Sequence, residues 1–100
     1  METTITREEL EKMLEGRIVC EVLDDIHMTA QRWNKGGALI HKVRAMGYLA
    51  DSGAENIRRG VALPINEKST FKDMQLLNKE MYTATINFMY GIAQSKIYVP

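Results

Sequence analysis

Thr70–Ser95 reads TFKDMQLLNKEMYTATINFMYGIAQS, and the fold turns on how this stretch is interpreted. It opens with Thr70-Phe71-Lys72-Asp73, where a hydroxyl and a carboxylate three residues apart can satisfy free backbone donors at a helix start. Met74, Leu77, Met81, Ala84, Phe88 and Gly91 then recur at 3-4-3-4-3 spacing, the seam of an antiparallel bundle or coiled coil. Tyr82, Ile86, Met89 and Ala93 form a second apolar stripe beside the first. The pattern predicts one helix from Phe71 to about Ser95, roughly 37 Å long at about 1.5 Å per residue. Two stripes carry more apolar surface than the other short helices of one protomer can cover. Met81, Tyr82, Ile86, Met89 and Tyr90 are therefore expected in a subunit interface, making the protein a homo-oligomer, dimer or higher. Lys96–Pro100 reads as an extended tail.

Working back toward the N-terminus, Ser52-Gly53-Ala54-Glu55 is another capping-box pattern, and Gly60 can close a short helix over Ala54–Arg59. The same segment also admits a hairpin, Tyr48–Ala50 against Val61–Ile65, with Pro64 holding Leu63 extended. The helix is the preferred reading on its cap signal. Ahead of it, Ala38 to about Leu49 predicts a helix that buries Leu39, Val43, Met46 and Ala50. The clearest helix runs from Arg17 to Trp33, with Ile18, Val19, Val22, Leu23, Ile26, Ala30 and Trp33 on one stripe. It stops at Asn34-Lys35-Gly36-Gly37, where two glycines offer turn geometry. Thr6-Arg7-Glu8-Glu9 caps a first helix from about Arg7 to Leu14, with Gly16 as a left-handed terminator.

The fold expected is an all-α single domain over residues 1–100, three to four helices ending in a long C-terminal one. The alternative is a winged helix-turn-helix with a β-wing at residues 48–65. One hundred residues suit one domain, and a domain this small buries roughly 60–65% of its unfolded surface, so association would add substantially to its stability. Apolar residues at 45% and charged ones at 26% are globular values, which excludes a disordered or fibrous chain. A single cysteine forms no internal disulfide and indicates a reducing, cytoplasmic setting. No apolar run approaches the roughly 18 residues that span a bilayer, so no membrane partner is expected.

Catalytic material is sparse. Cys20, Asp24, His27 and Gln31 fall on one side of the second helix, but no second segment supplies the further ligands a structural zinc site takes. They read as a polar flank with Cys20 at the core edge. No serine or cysteine stands in a nucleophile signature, and the glycines fit neither a P-loop nor a dinucleotide fingerprint. The expectation is no enzyme, no metal and no cofactor. Trp33 and most of the seven methionines are assigned to core packing.

Charge placement carries more. Residues 1–31 hold three basic and eight acidic side chains, a net of −5. Residues 32–59 hold Arg32, Lys35, Lys42, Arg44, Arg58 and Arg59 against Asp51 and Glu55, a net of +4. Lys35-Gly36-Gly37 sets backbone donors beside a lysine at a helix start, where phosphate is favoured. His41, Arg44 and Tyr48 share the face away from the core and join positive charge to aromatic surface. The candidate anion or nucleic-acid site is therefore Lys35, Gly36, Gly37, His41, Lys42, Arg44, Tyr48, Arg58 and Arg59.

Residues 26–46 resemble a helix-turn-helix, with Ala30, Ile40 and Val43 at suitable positions and Gly47-Tyr48-Leu49 following as in winged-helix proteins. The resemblance implies a wing over Asp51–Leu63 and His41, Lys42 and Arg44 near bases in the major groove. Asn34 and Lys35 depart from it, standing where such a turn usually carries glycine and an apolar residue. His41-Lys42-Val43-Arg44-Ala45, Glu67-Lys68-Ser69 and Gly91-Ile92-Ala93 are similar to pieces of the small helical phage proteins that sequester cyclic nucleotides, though at different spacing. The function expected is a non-enzymatic, oligomeric regulatory protein that binds nucleic acid or a nucleotide through its basic middle third. The rival is a protein-interaction module or inhibitor docking through the last helix or the acidic first third, and a winged-helix DNA-binding regulator is the further alternative.

Overall fold

The protein is seen in a computed structural model that describes residues 5–33 and 40–94. Five helices occur among them: α1 (Arg7–Leu14), α2 (Val19–Trp33), α3 (Ile40–Arg58), α4 (Phe71–Leu77) and α5 (Lys79–Gln94). No strand is present among the described residues, and the one extended contact is an isolated bridge between Ile18 and Thr70. The all-α expectation holds, with one helix more than expected. The β-wing does not: Tyr48–Ala50 lie inside α3, and residues 61–64 form a turn that contains the cis Leu63–Pro64 bond.

Helix starts follow the local chemistry. The Thr6 hydroxyl accepts from the Glu9 N–H while the Glu9 carboxylate accepts from the Thr6 N–H, both at 3.1 Å. These bonds to Thr6 hold the Glu9 carboxyl below its usual range. Thr70 and Asp73 make the same reciprocal pair at 3.1 and 3.0 Å. The end of α1 then meets the start of α4. Glu15 O accepts from the Lys72 N–H and Arg17 O from the Phe71 N–H, so carbonyls beyond one helix satisfy orphan donors of the other. Gly16 is not left-handed as expected; Gly60 is the one described glycine with positive φ, at 77°. Gly60 ends α3 in a Schellman motif, its N–H donating to Ile57 O and the Val61 N–H to Asn56 O.

Two boundaries differ from expectation for tertiary reasons. Ser52-Gly53-Ala54-Glu55 caps nothing, because α3 runs through it as one helix. Val43, Met46, Ala50, Ala54 and Ile57 make a continuous buried stripe along α3, and that burial outweighs the turn preference of serine and glycine. The stripe packs on α2. Ala30 faces Gly47 and Cys20 faces Ala54, so the pair runs antiparallel.

The expected single C-terminal helix is broken at Asn78, which has φ −150° and ψ 86°. Asn78 donates its own N–H to Met74 O, and its side-chain oxygen accepts from the Met81 N–H at the start of α5. The bend brings the Thr85 hydroxyl to 4.0 Å from the Met74 sulfur. In one straight helix those residues would stand about 16 Å apart along the axis.

That fold-back corrects the interface assignment. Tyr82, Ile86 and Met89 are buried in the core of their own chain together with Phe71, Leu10, Leu14 and Ile26, while Met81 and Tyr90 pack partly buried against it. The Tyr82 hydroxyl donates to the Glu11 carboxylate at 2.8 Å, tying α5 to α1. Of the 3-4-3-4-3 seam, Met74 is buried, whereas Leu77, Ala84 and Gly91 are exposed. Trp33 is also no core anchor: it is 51% exposed at the end of α2, beyond the crossing at Gly47. Of the methionines, Met46, Met74 and Met89 are buried, whereas Met13 and Met28 are exposed. Leu39 and Lys96–Pro100 lie outside the described residues.

Candidate functional site

Close packing of α2 on α3 shapes the groove beside it. Gly47 lets the backbones approach so closely that an added Cβ would stand 2.7 Å from that of Ala30. One turn along α2, His27 Nδ1 lies 3.2 Å from Gly47 O. That contact puts the ring proton on Nδ1 and leaves Nε2 as an acceptor in the neutral imidazole. Beside this crossing lies a groove of about 240 Å³ lined by His27, Ala30, Gln31, Arg44, Gly47, Tyr48 and Asp51.

The α3 wall has an ordered polarity. Arg44, Tyr48 and Asp51 follow at spacings of four and three, so a cation, an exposed phenol ring and a carboxylate line one side in that order. The ends of this row are about 10 Å apart along the helix axis. Tyr48 is 72% exposed, so a face of its ring is open to a planar ligand. His27 and Gln31 supply the facing wall with an acceptor and an amide. A ligand with an anionic end, a flat middle and a donor edge matches this row.

The basic residues singled out by sequence do not form one surface. Arg44 and Tyr48 are together in the α2–α3 groove. Lys42 lines a different groove of about 360 Å³ with Ala45, Met46, Leu49, Phe88, Gly91 and Ile92. Arg58 sits near the far end of α3, about 21 Å along the axis from Arg44. Its guanidinium makes a two-pronged pair with Asp24 on α2, with Nη1–Oδ1 at 3.1 Å, and this hydrogen bonding raises the Arg58 pKa. Arg59 is exposed one residue on, where α3 has ended. Lys35, Gly36, Gly37 and the side chain of His41 lie outside the described residues.

His27, Gln31 and Asp51 were not among the sequence candidates for this site. His27 and Gln31 do stand out in sequence as a polar flank of α2, but nothing local shows that α3 crosses beside them. The metal-like set on that flank is dispersed by its partners. Cys20 is buried with its thiol 3.8 Å from Ala54 O, and burial raises its pKa, while Asp24 is held by Arg58. No group of three or more His, Cys, Asp or Glu able to hold a metal occurs among the described residues. No helix among them is long and apolar enough to cross a membrane.

No family model, curated protein or solved structure matches the chain.

Proposed function

We propose that this is a non-enzymatic cytoplasmic binding protein that takes a nucleotide, free or within single-stranded nucleic acid, in the α2–α3 groove. The observation that carries the reading is the row Arg44, Tyr48, Asp51 along one wall, with His27 and Gln31 opposite. Phosphate pairs with the Arg44 guanidinium, whose planar fork suits two phosphate oxygens. The base stacks on Tyr48, and its donor edge meets the Asp51 carboxylate or His27 Nε2. Arg58 takes no part in this site, because it stands about 21 Å along α3 from Arg44.

Calorimetric titration with purine and pyrimidine nucleotides and with single-stranded oligonucleotides, at several salt concentrations, tests this. Affinity is expected to fall with salt. Arg44→Glu should abolish binding, and Tyr48→Ala should remove about 1–3 kcal/mol, the range for one stacked base. Asp51→Asn should change which base is preferred, whereas Lys72→Glu, on the α1–α4 side, should change nothing. No binding by the unaltered protein at low salt, or full affinity in Arg44→Glu, overturns the proposal. For the rival reading, protein docking through the last helix, Tyr82, Ile86 and Met89 are interior, and the face of α5 left to a partner is the one with Ala84, Asn87 and Gly91.

A further inference from the structure

The connection between α4 and α5 is a single residue, Asn78, across which the apolar seam of the sequence does not break. Met74, Leu77, Met81, Ala84 and Phe88 keep helical spacing through it, and Gln75–Met81 contains neither proline nor glycine. Asn78 itself is the only poor helix former in Gln75–Met81, and its side chain caps α5 only while the chain is bent. Short connectors between packed elements favour exchange between copies, because the packing given up within one chain is re-formed identically in another. Here that packing is what α5 makes through Tyr82, Ile86 and Met89 with the core and through Tyr82 with Glu11.

Outside α5, two sets of contacts hold the fold, although α1 and α4 each make their most extensive helix contact with α5. The paired backbone at Glu15–Val19 and Ser69–Lys72 locks α4 to the end of α1, and α2 and α3 pack on each other along the Gly47 crossing. A surface observation favours the straight form as well. Leu77 is 54% exposed, and Ala84 is exposed beside it on the seam. In a straight helix over 71–94 these two lie on one face that can meet a second copy, while Met74 stays buried and Met81 and Phe88 pack on a core.

We propose that two copies of this chain exchange α5: each straightens at Asn78 and docks α5 on the other's α1 and core, giving a dimer. Tyr82, Ile86 and Met89 then pack between subunits just as they pack within one chain in the closed form. The exchange leaves the α2–α3 groove intact, so it stands or falls separately from nucleotide binding.

Sedimentation velocity on the full chain measures the dimer fraction in the unaltered protein, in Asn78→Ala and in a variant with two glycines inserted after Asn78. Asn78→Ala removes the bent-state cap and favours continuous helix, so dimerisation should strengthen by about tenfold or more. The glycine insertion relaxes the connector and should yield less dimer than the unaltered protein. To identify the exchange, Ile5→Cys and Gln94→Cys are combined on a Cys20→Ala background and joined by a short thiol cross-linker. Gln94 Nε2 donates to Ile5 O at 2.8 Å, so the two positions adjoin. Links between chains in the dimer fraction support exchange; links only within chains reveal an ordinary surface dimer and overturn it. A protein that stays monomeric in all variants at high concentration, including after refolding from denaturant, overturns it too. If Asn78→Ala does not fold, the unaltered protein and the glycine insertion, refolded side by side, carry the same decision.

Discussion

Gly47→Ala sets two effects of opposite sign against each other, and the structure decides which prevails. Gly47 is buried within α3, and alanine in a helix interior is worth about 0.5–1 kcal/mol over glycine. Against this, the new Cβ would meet the Ala30 Cβ at 2.7 Å, where carbon atoms settle at about 3.5–4.0 Å. Backbone-borne methyl groups cannot turn aside, so α2 and α3 must separate, and overpacking of this kind costs about 1–3 kcal/mol. Separation also lengthens the His27 Nδ1 to Gly47 O contact of 3.2 Å, which adds about 1 kcal/mol when broken. The expected net destabilisation is about 1–3 kcal/mol, a fall in Tm on the order of 5–20 °C for a domain of this size. Thermal melts followed by circular dichroism measure it, with Gly91→Ala as the internal standard. Gly91 lies exposed in α5 with nothing within 4 Å of an added Cβ, so alanine there should stabilise by about 0.5–1 kcal/mol. In an Ala30→Gly background the clash is absent and Gly47→Ala should become favourable. A Gly47→Ala protein that melts higher than the unaltered one, or a penalty that survives Ala30→Gly, would refute the close crossing on which the groove depends.

Three further outcomes follow from the packing. Thr70→Ala breaks the reciprocal pair with Asp73 and should cost about 1 kcal/mol in urea unfolding, with no change in the slope of the transition. Arg58→Ala should cost at most about 1 kcal/mol, less at high salt, because the side chains of the Arg58–Asp24 pair are 43% and 41% exposed. Burial, then the hydrogen bond to Glu11, pushes the Tyr82 phenol from 10.0 up to about 12. The unfolded chain therefore loses this proton first, so stability from Tyr82 is intact below about pH 10 and declines as pH rises toward 12. Denaturant titrations across that interval should show a shallower decline in Tyr82→Phe than in the unaltered protein, and equal declines would contradict the buried placement of the phenol.

What was legible in the sequence is what short-range chemistry decides. Thr6 with Glu9 and Thr70 with Asp73 form their reciprocal caps, Gly60 takes positive φ, and α1 occupies Arg7–Leu14 as its cap and stripe require. The errors lie where distant packing opposes a local signal. Ser52-Gly53-Ala54-Glu55 has the composition of a helix start, yet Ala50, Ala54 and Ile57 are needed on the face that meets α2. Burial of those three outweighs the roughly 1 kcal/mol that a mid-helix glycine costs. Trp33 keeps the period of its stripe but stands exposed as the last residue of α2. The candidate site was legible only on α3, as Arg44 and Tyr48. The α2 wall depends on which residue faces Gly47, and periodicity within one helix contains no information about that.

The second stripe of the C-terminal segment exposes a deeper limit of pattern reading. An apolar face states that something must cover it and is silent on whether the cover comes from the same chain. Tyr82, Ile86 and Met89 satisfy the pattern equally well against their own α1 or against another copy's, because the covering residues, Leu10 and Leu14 among them, are the same. The choice rests with one backbone position, Asn78, whose bend has a cap on one side and helix-forming sequence on the other. Local free-energy differences at such a position are about 1 kcal/mol, far smaller than the burial that both arrangements share. In the exchange proposed above, protein concentration becomes the deciding variable, since exchange is second order in the chain while closure is first order. A residue that contributes little to stability can in this way govern the state of assembly, which places Asn78 ahead of any core residue as the position where substitution should alter behaviour without altering fold.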